Sequence, residues 1–274
     1  MSLFTALDHV ALAVHDLDVA GARLAAMLGR SAEWRGAGSG GEHLWFQLGN
    51  TALDVVTGGA VAWRLKSGEG LWGMALTTPD LGKARHRLER VGVGSSDVIP
   101  IATRQGAETR HWPTSVVDGK AAHGATLFLV EPQTLPPAPF TADEASAVSG
   151  LDHIVIRTPN PERAIALYGG RLGLEMRLDR SNPEWGSRLL FFRLGDLVVE
   201  IAADLKAPVT DEADSLWGLS WRVPDVDAAR ARMAGEGFDV SEARKGRKPG
   251  TKVFTVRDAP AGVPTLILGS SKDS

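Results

Sequence analysis

The phrase Leu-Asp-His opening an apolar strand occurs twice in this chain, and its repetition constrains the fold more than any other feature. The first copy reads Leu7-Asp8-His9-Val10-Ala11-Leu12-Ala13-Val14, and the second, Leu151-Asp152-His153-Ile154-Val155-Ile156-Arg157-Thr158, starts 144 positions later. Downstream, Phe46-Gln47-Leu48-Gly49-Asn50 is answered by Phe192-Arg193-Leu194-Gly195-Asp196, which sets Asp54 against Glu200 at a spacing of 146. A histidine and a carboxylate therefore recur together, as a duplicated structural unit would require.

A weaker copy lies inside each half. Leu71-Trp72-Gly73-Met74-Ala75-Leu76-Thr77-Thr78-Pro79-Asp80 matches Leu216-Trp217-Gly218-Leu219-Ser220-Trp221-Arg222-Val223-Pro224-Asp225. Each of the four units opens on an alternating strand and turns at Asp or Pro. A helix follows, expected over 18–28, 81–91, 161–172 and 226–235. Gly49-Asn50 and Gly195-Asp196 lie between apolar runs and predict hairpins. The unit reads βαβββ.

The run Glu131-Pro132-Gln133-Thr134-Leu135-Pro136-Pro137-Ala138-Pro139 can sustain neither a helix nor a central strand, because proline lacks an amide donor and fixes φ. It divides the chain into an N-terminal domain (1–131), a Pro-rich linker (132–149) and a C-terminal domain (150–274). With 274 residues, 43% of them hydrophobic, the chain can fill two cores.

No cysteine is present, which excludes disulfides, thiolate ligands and a cysteine nucleophile; a metal would need His, Asp or Glu. A net charge of −3 offers no general attraction to nucleic acid. No apolar run approaches membrane-spanning length, and the start Met1-Ser2-Leu3-Phe4-Thr5 lacks the pattern of a signal peptide. The expectation is a soluble, cytoplasmic protein, monomer or homodimer, whose partner is a small molecule rather than nucleic acid or membrane.

The Asp-His strand openings, the Pro-Asp and Asp-Leu helix entries, the Gly-Asn and Gly-Asp hairpins and the two-half arrangement together resemble the vicinal oxygen chelate superfamily, which includes the glyoxalases, bleomycin-resistance proteins and extradiol dioxygenases. The resemblance covers nearly the whole chain. It implies an α+β fold of four βαβββ modules forming two glyoxalase-like domains, each curved around a cup. In metal-dependent members, a first-strand histidine and a last-strand carboxylate from two modules hold one divalent ion, such as Zn, Ni, Fe or Mn. On this resemblance His9 and Asp54 match those positions in module one, and His153 and Glu200 match them in module three. Gly73 and Phe128 stand there in module two, and Gly218 and Ile267 in module four. Pairing one with two or one with four leaves two ligands per cup; only pairing one with three would assemble all four.

Strand alternation adds further candidates. If His9 faces the cup, so do Ala11 and Ala13; the same phase turns His153, Val155 and Arg157 inward. Across the Gly49-Asn50 hairpin, Trp45 falls opposite Asp54 and Gln47 opposite Ala52, gathering His43, Trp45, Gln47 and Asp54 on one face. Phe191, Arg193 and Glu200 gather likewise, and Trp112 adds an aromatic wall. The same phase assigns Trp72, Trp217 and Trp221 to the core.

Three functions remain open. One is a metal-dependent lyase or isomerase in which Glu200 and His153 are catalytic, Glu200 moving a proton or holding the ion. The second is a metal-free small-molecule or drug binder of the resistance type, in which the histidines hydrogen-bond locally and Arg157 or Arg193 pairs with Glu200. The third is an extradiol-type dioxygenase, against which Gly218 and Ile267 count. The cationic run Arg244-Lys245-Gly246-Arg247-Lys248-Pro249-Gly250-Thr251-Lys252 is either a solvated loop or a cover that attracts a carboxylate or phosphate to a cup. The glycine-rich stretch 36–41 lacks a phosphate-loop ending and reads as a flexible loop beside the first cup. No Gly-x-Ser-x-Gly elbow is present.

Overall fold

The computed structural model describes residues 3–38, 40–133 and 135–271; Met1, Ser2, Ser39 of the glycine-rich stretch, Thr134 of the linker and the last three positions lie outside the described residues. The first half runs β1 (Ala6–Ala13), α1 (Leu17–Leu28), β2 (Trp34–Gly38), β3 (Gly41–Gln47), β4 (Ala52–Thr57), a 3-10 turn and the short α2 (Ala62–Leu65), β5 (Gly70–Thr77), α3 (Leu81–Arg90), β6 (Ile99–Gln105), β7 (Glu108–Val116) and β8 (Leu127–Val130). The second runs β9 (Gly150–Arg157), α4 (Pro161–Ala164), β10 (Glu175–Asn182), β11 (Ser187–Leu194), β12 (Leu197–Asp204), β13 (Ser215–Arg222), α5 (Val226–Gly235), β14 (Arg244–Lys245), β15 (Thr251–Val256) and β16 (Thr265–Ser270). These are the four expected βαβββ modules, an α+β fold.

Each module enters its helix in the same way. Asp16, Asp80, Asn160 and Asp225 accept hydrogen bonds from the first-turn amides through their side chains, which satisfies donors that have no partner within the helix. The third helix departs from expectation, because α4 passes into a π-helical turn over Ile165–Arg171. The adjacent Gly169 and Gly170 carry no side chains to hold a tight α-helical turn there.

Modules one and two share one sheet, and modules three and four the other. The first sheet closes into a barrel in the order β1-β4-β3-β2-β6-β7-β8-β5. Closure depends on two register pairs between β2 and β6, Ala37 with Arg104 and Gly38 with Thr103. There a Cβ on Gly38 would lie 2.1 Å from the carbonyl oxygen of Ala102, so only glycine allows the approach. The second sheet keeps the corresponding order, β10-β11-β12-β9-β13-β16-β15-β14, with β10 and β14 left as unpaired edges.

The two halves meet at their duplicated hairpins. Asn50 donates to the carbonyl of Leu151 (2.8 Å), accepts from its amide (2.9 Å) and donates to Asp196, its counterpart in the second copy (3.0 Å). Behind the sheets, one apolar cluster runs through both halves and includes Leu24, Met27, Leu53, Leu219 and Trp221. The segment between the sheets lies against the first half. Arg30, buried, donates to the carbonyls of Val148 and Ala138 and stacks on Phe140.

Trp72 and Trp217 do not lie where simple alternation puts them. In β5 the pairing with β1 jumps from Gly73 opposite Ala11 to Leu71 opposite Leu12, and in β13 the pairing with β9 jumps from Gly218 opposite Val155 to Leu216 opposite Ile156. Each tryptophan is the extra residue of a β-bulge, which re-aims its side chain. Trp72 packs on Phe128 beside Ala11 and Ala13, and Trp217 is more than a third exposed under Arg157. Trp221 is in the core as expected.

Candidate functional site

In the second sheet Ile154, Ile156, Leu190, Phe192, Val199 and Ile201 are fully buried in the shared core. Period-two alternation therefore turns His153, Val155, Phe191, Val198 and Glu200 to the opposite face, the one expected to form the cup. Parallel pairing puts Glu200 beside Val155, two residues beyond His153, and antiparallel pairing sets Phe191 opposite Glu200 and Ser220 opposite His153.

The polar side chains here form one connected array. His153 Nδ1 is 2.8 Å from the carboxylate of Asp152, and His153 Nε2 is 2.7 Å from the hydroxyl of Ser220 and 3.5 Å from the carboxylate of Glu200. Arg222 reaches the far oxygen of Asp152 and also Asp196. Burial opposes ionisation of Asp152, but hydrogen bonds from His153 and Arg222 outweigh it and bring its pKa down to about 2. An ionised carboxylate can only accept, so the network assigns the proton of a neutral His153 to Nδ1 and makes the Ser220 hydroxyl the donor to Nε2. Glu200 is governed by the opposite effect: burial, only partly offset by the charges of His153 and Arg247, raises its affinity for a proton.

The first cup is closed and filled. Trp45 lies opposite Asp54 and Gln47 opposite Ala52, as the hairpin register requires. Asp54 is tied to His43 (2.9 and 3.1 Å), while His9 bonds to Asp8 (2.7 Å) and packs on Trp45 and Phe128. Trp45 packs on Trp112 and, with Trp34 and Ala52, forms a buried cluster. Gln47 bonds to the carbonyls of Leu48 and Thr51. For His43, burial opposes the charged ring, but the charge and hydrogen bond of Asp54 prevail and raise its pKa.

The four histidine and carboxylate candidates thus fall into two separate sheets, His9 with Asp54 and His153 with Glu200. Phe128 occupies the carboxylate position of module two, since it pairs with Ala75 as Asp54 pairs with Ala11. In module four that position belongs to Leu266, which pairs with Ser220 as Glu200 pairs with Val155; Ile267 pairs with Trp221 and is buried in the core. Neither expected arginine meets Glu200: Arg193 donates to the carbonyl of Gly195, and Arg157 stacks on Trp217. Arg247 of the cationic run does act on Glu200. Sequence reasoning does not reach Ser220 and Arg222, because their contacts with His153 and Asp152 depend on the β9–β13 register; the role of Asp152 is local, and the Leu-Asp-His repeat was the signal for it.

A facial metal site needs about three protein donors. With Gly218 and Leu266 at the module-four positions, the second cup offers His153, Glu200 and a serine hydroxyl already engaged with the histidine, and no group of three or more His, Asp or Glu gathers among the described residues. This donor set does not fit the protein-held ion that the resemblance implies. What it does supply is a carboxylate that holds its proton readily beside an oriented imidazole.

Residues 152–255 match the family model described as the Glyoxalase/Bleomycin resistance protein/Dioxygenase superfamily. No curated protein matches the sequence. Among solved structures, a mutant 4-hydroxymandelate synthase from Streptomyces coelicolor superposes with a TM-score of 0.72 at 12% identity, covering 98% of this chain and 93% of its own. BphC, a halotolerant catechol dioxygenase, gives 0.69 at 15% identity, with 99% and 89% covered. The Mn(II)-bound glyoxalase from Novosphingobium aromaticivorans gives 0.65 at 15% identity, with 98% and 83% covered. With four βαβββ modules in two sheets, the chain shares its fold with these structures over nearly its whole length, and residues 152–255 match the Glyoxalase/Bleomycin resistance protein/Dioxygenase superfamily.

Proposed function

We propose that the C-terminal cup is the working site and that it binds a small organic molecule and shifts a proton on it, as a lyase or isomerase does. Glu200 is the base or acid, and His153, oriented by Asp152 and Ser220, is its neighbour. The observation that carries this reading is the contrast between the duplicated carboxylates. Glu200 is half-buried, avid for a proton and 3.5 Å from an imidazole nitrogen on an open sheet, whereas Asp54 is buried and bound to His43 inside a closed barrel. A base of raised pKa is what proton abstraction near neutral pH requires.

The test is exchange of carbon-bound protons in small carbonyl acids in heavy water, followed by NMR. The proposal requires exchange by the wild-type protein and its loss in Glu200→Gln; equal exchange by both would sink it. Metal analysis of the dialysed protein runs alongside. About one equivalent of divalent ion, lost in both His153→Ala and Glu200→Ala, would replace this reading with a chelate mechanism. A second reading, a metal-free binder without turnover, draws support from the two-ligand complement of each cup. It predicts saturable binding with no exchange.

A further inference from the structure

We propose that the mouth of the C-terminal cup captures an anionic group, so that the ligand class is a flat or apolar organic carboxylate; this rests on the C-terminal cup being the binding site. The second sheet ends on β10 and β14, which hold the positions that β2 and β6 hold and join in the first. Side chains from both edges meet there. Trp185, in the turn between β10 and β11, lies under the guanidinium of Arg247 from the β14–β15 loop (4.0 Å) and under that of Arg180 from β10 (5.2 Å). Arg157, on the expected cup face, lies over Trp217 (4.1 Å).

These three arginines differ from most others in the molecule. Arg23, Arg35, Arg85, Arg163, Arg188 and Arg222 each have a carboxylate within ion-pair distance. Among the described residues no carboxylate lies within 4.0 Å of Arg157, Arg180 or Arg247. Two cations gathered on one indole with no carboxylate within 4.0 Å repel each other, and an anion between them would relieve that repulsion more directly than Glu200, which Arg247 reaches only at longer range. Guanidinium groups offer paired donors suited to a carboxylate, and Trp185 and Trp217, both more than a third exposed, offer faces for an apolar body. Phe191, opposite Glu200, continues the apolar surface inward. An anion held at the mouth would present the rest of the molecule to Glu200 and His153.

The experiment is calorimetric titration with 2-naphthoate and with the uncharged 2-naphthamide, at about 50 mM and about 300 mM salt. The expected result is naphthoate bound at least about tenfold more tightly than naphthamide, the advantage shrinking as salt rises. Arg247→Gln and Arg180→Gln should each remove most of that advantage and leave naphthamide binding unchanged, while Arg87→Gln on the outer helix changes neither. If the two ligands bind equally and Phe191→Ala weakens both, the anion site is refuted and the cup stands as a binding site. If neither ligand binds, or Phe191→Ala has no effect on either, the C-terminal cup itself is refuted as the site, and this inference falls with it.

Discussion

The hydroxyl of Ser220 lies 2.7 Å from Nε2 of His153, whereas the equivalent position opposite His9 in the first half is held by Ala75. The duplication thus supplies its own control, since both histidines bond to the preceding aspartate through Nδ1. Nitrogen-15 NMR should find neutral His153 with its proton on Nδ1. Ser220→Ala should cost about 1 kcal/mol of stability and lower proton exchange. Ser220→Thr, which retains the hydroxyl, should recover the exchange. A proton found on Nε2 in the wild-type protein would overturn the assigned network.

His43, half-buried, pairs with the buried Asp54 in the first barrel, and the folded-state pKa of His43 is raised. A histidine of this kind contributes stability that is fully present below its unfolded pKa of about 6.5 and is lost as pH rises through the higher folded value. Urea unfolding should therefore show stability declining with pH above about 6.5, with a shallower decline in His43→Gln. Asp54→Asn, which leaves the ring without its counter-charge, should cost about 2 kcal/mol near pH 6.

Glu200 has the reverse economy of a salt-bridged carboxylate, because burial raises its folded pKa above the unfolded value. Its burial therefore destabilises the fold increasingly as pH rises through the folded pKa. Glu200→Gln, close in shape to the protonated acid, should unfold on the order of 1 kcal/mol later than wild type at pH 8 and no later at pH 4. The same variant should lose about a hundredfold or more in proton exchange. A gain in stability with loss of activity is the pattern of a residue kept for function.

Gly73 occupies the place that corresponds to His9, and Phe128 fills the space beside it; a Cβ on Gly73 would come within 2.5 Å of the Phe128 ring. Gly73→Ala should cost about 1 to 3 kcal/mol in chemical denaturation. Adding Phe128→Leu should recover part of that loss, giving a coupling energy above about 0.5 kcal/mol. Strict additivity would show that the two sites do not compete for the same volume.

Sequence alone determined the modular plan, because repetition, hairpin dipeptides and helix-capping residues are local signals. Asp16, Asp80, Asn160 and Asp225 cap their helices through neighbours within three positions, and Gly49-Asn50 sets its hairpin register without reference to the rest of the chain. The same locality put Trp45 opposite Asp54 and Phe191 opposite Glu200. Relations between distant strands could not be read in this way. The bulges that turn Trp72 and Trp217 out of the core, the pairing of Ser220 with His153, and the assignment of Leu266 rather than Ile267 to the cup all depend on register between β1 and β5, β9 and β13, or β13 and β16, where a shift of one residue reverses every side chain. Only the tertiary structure decided that module one joins module two, which separates His9 from His153. It also decided that one sheet closes where Gly38 permits contact and the other stays open, because closure depends on the approach of two edges far apart in the chain.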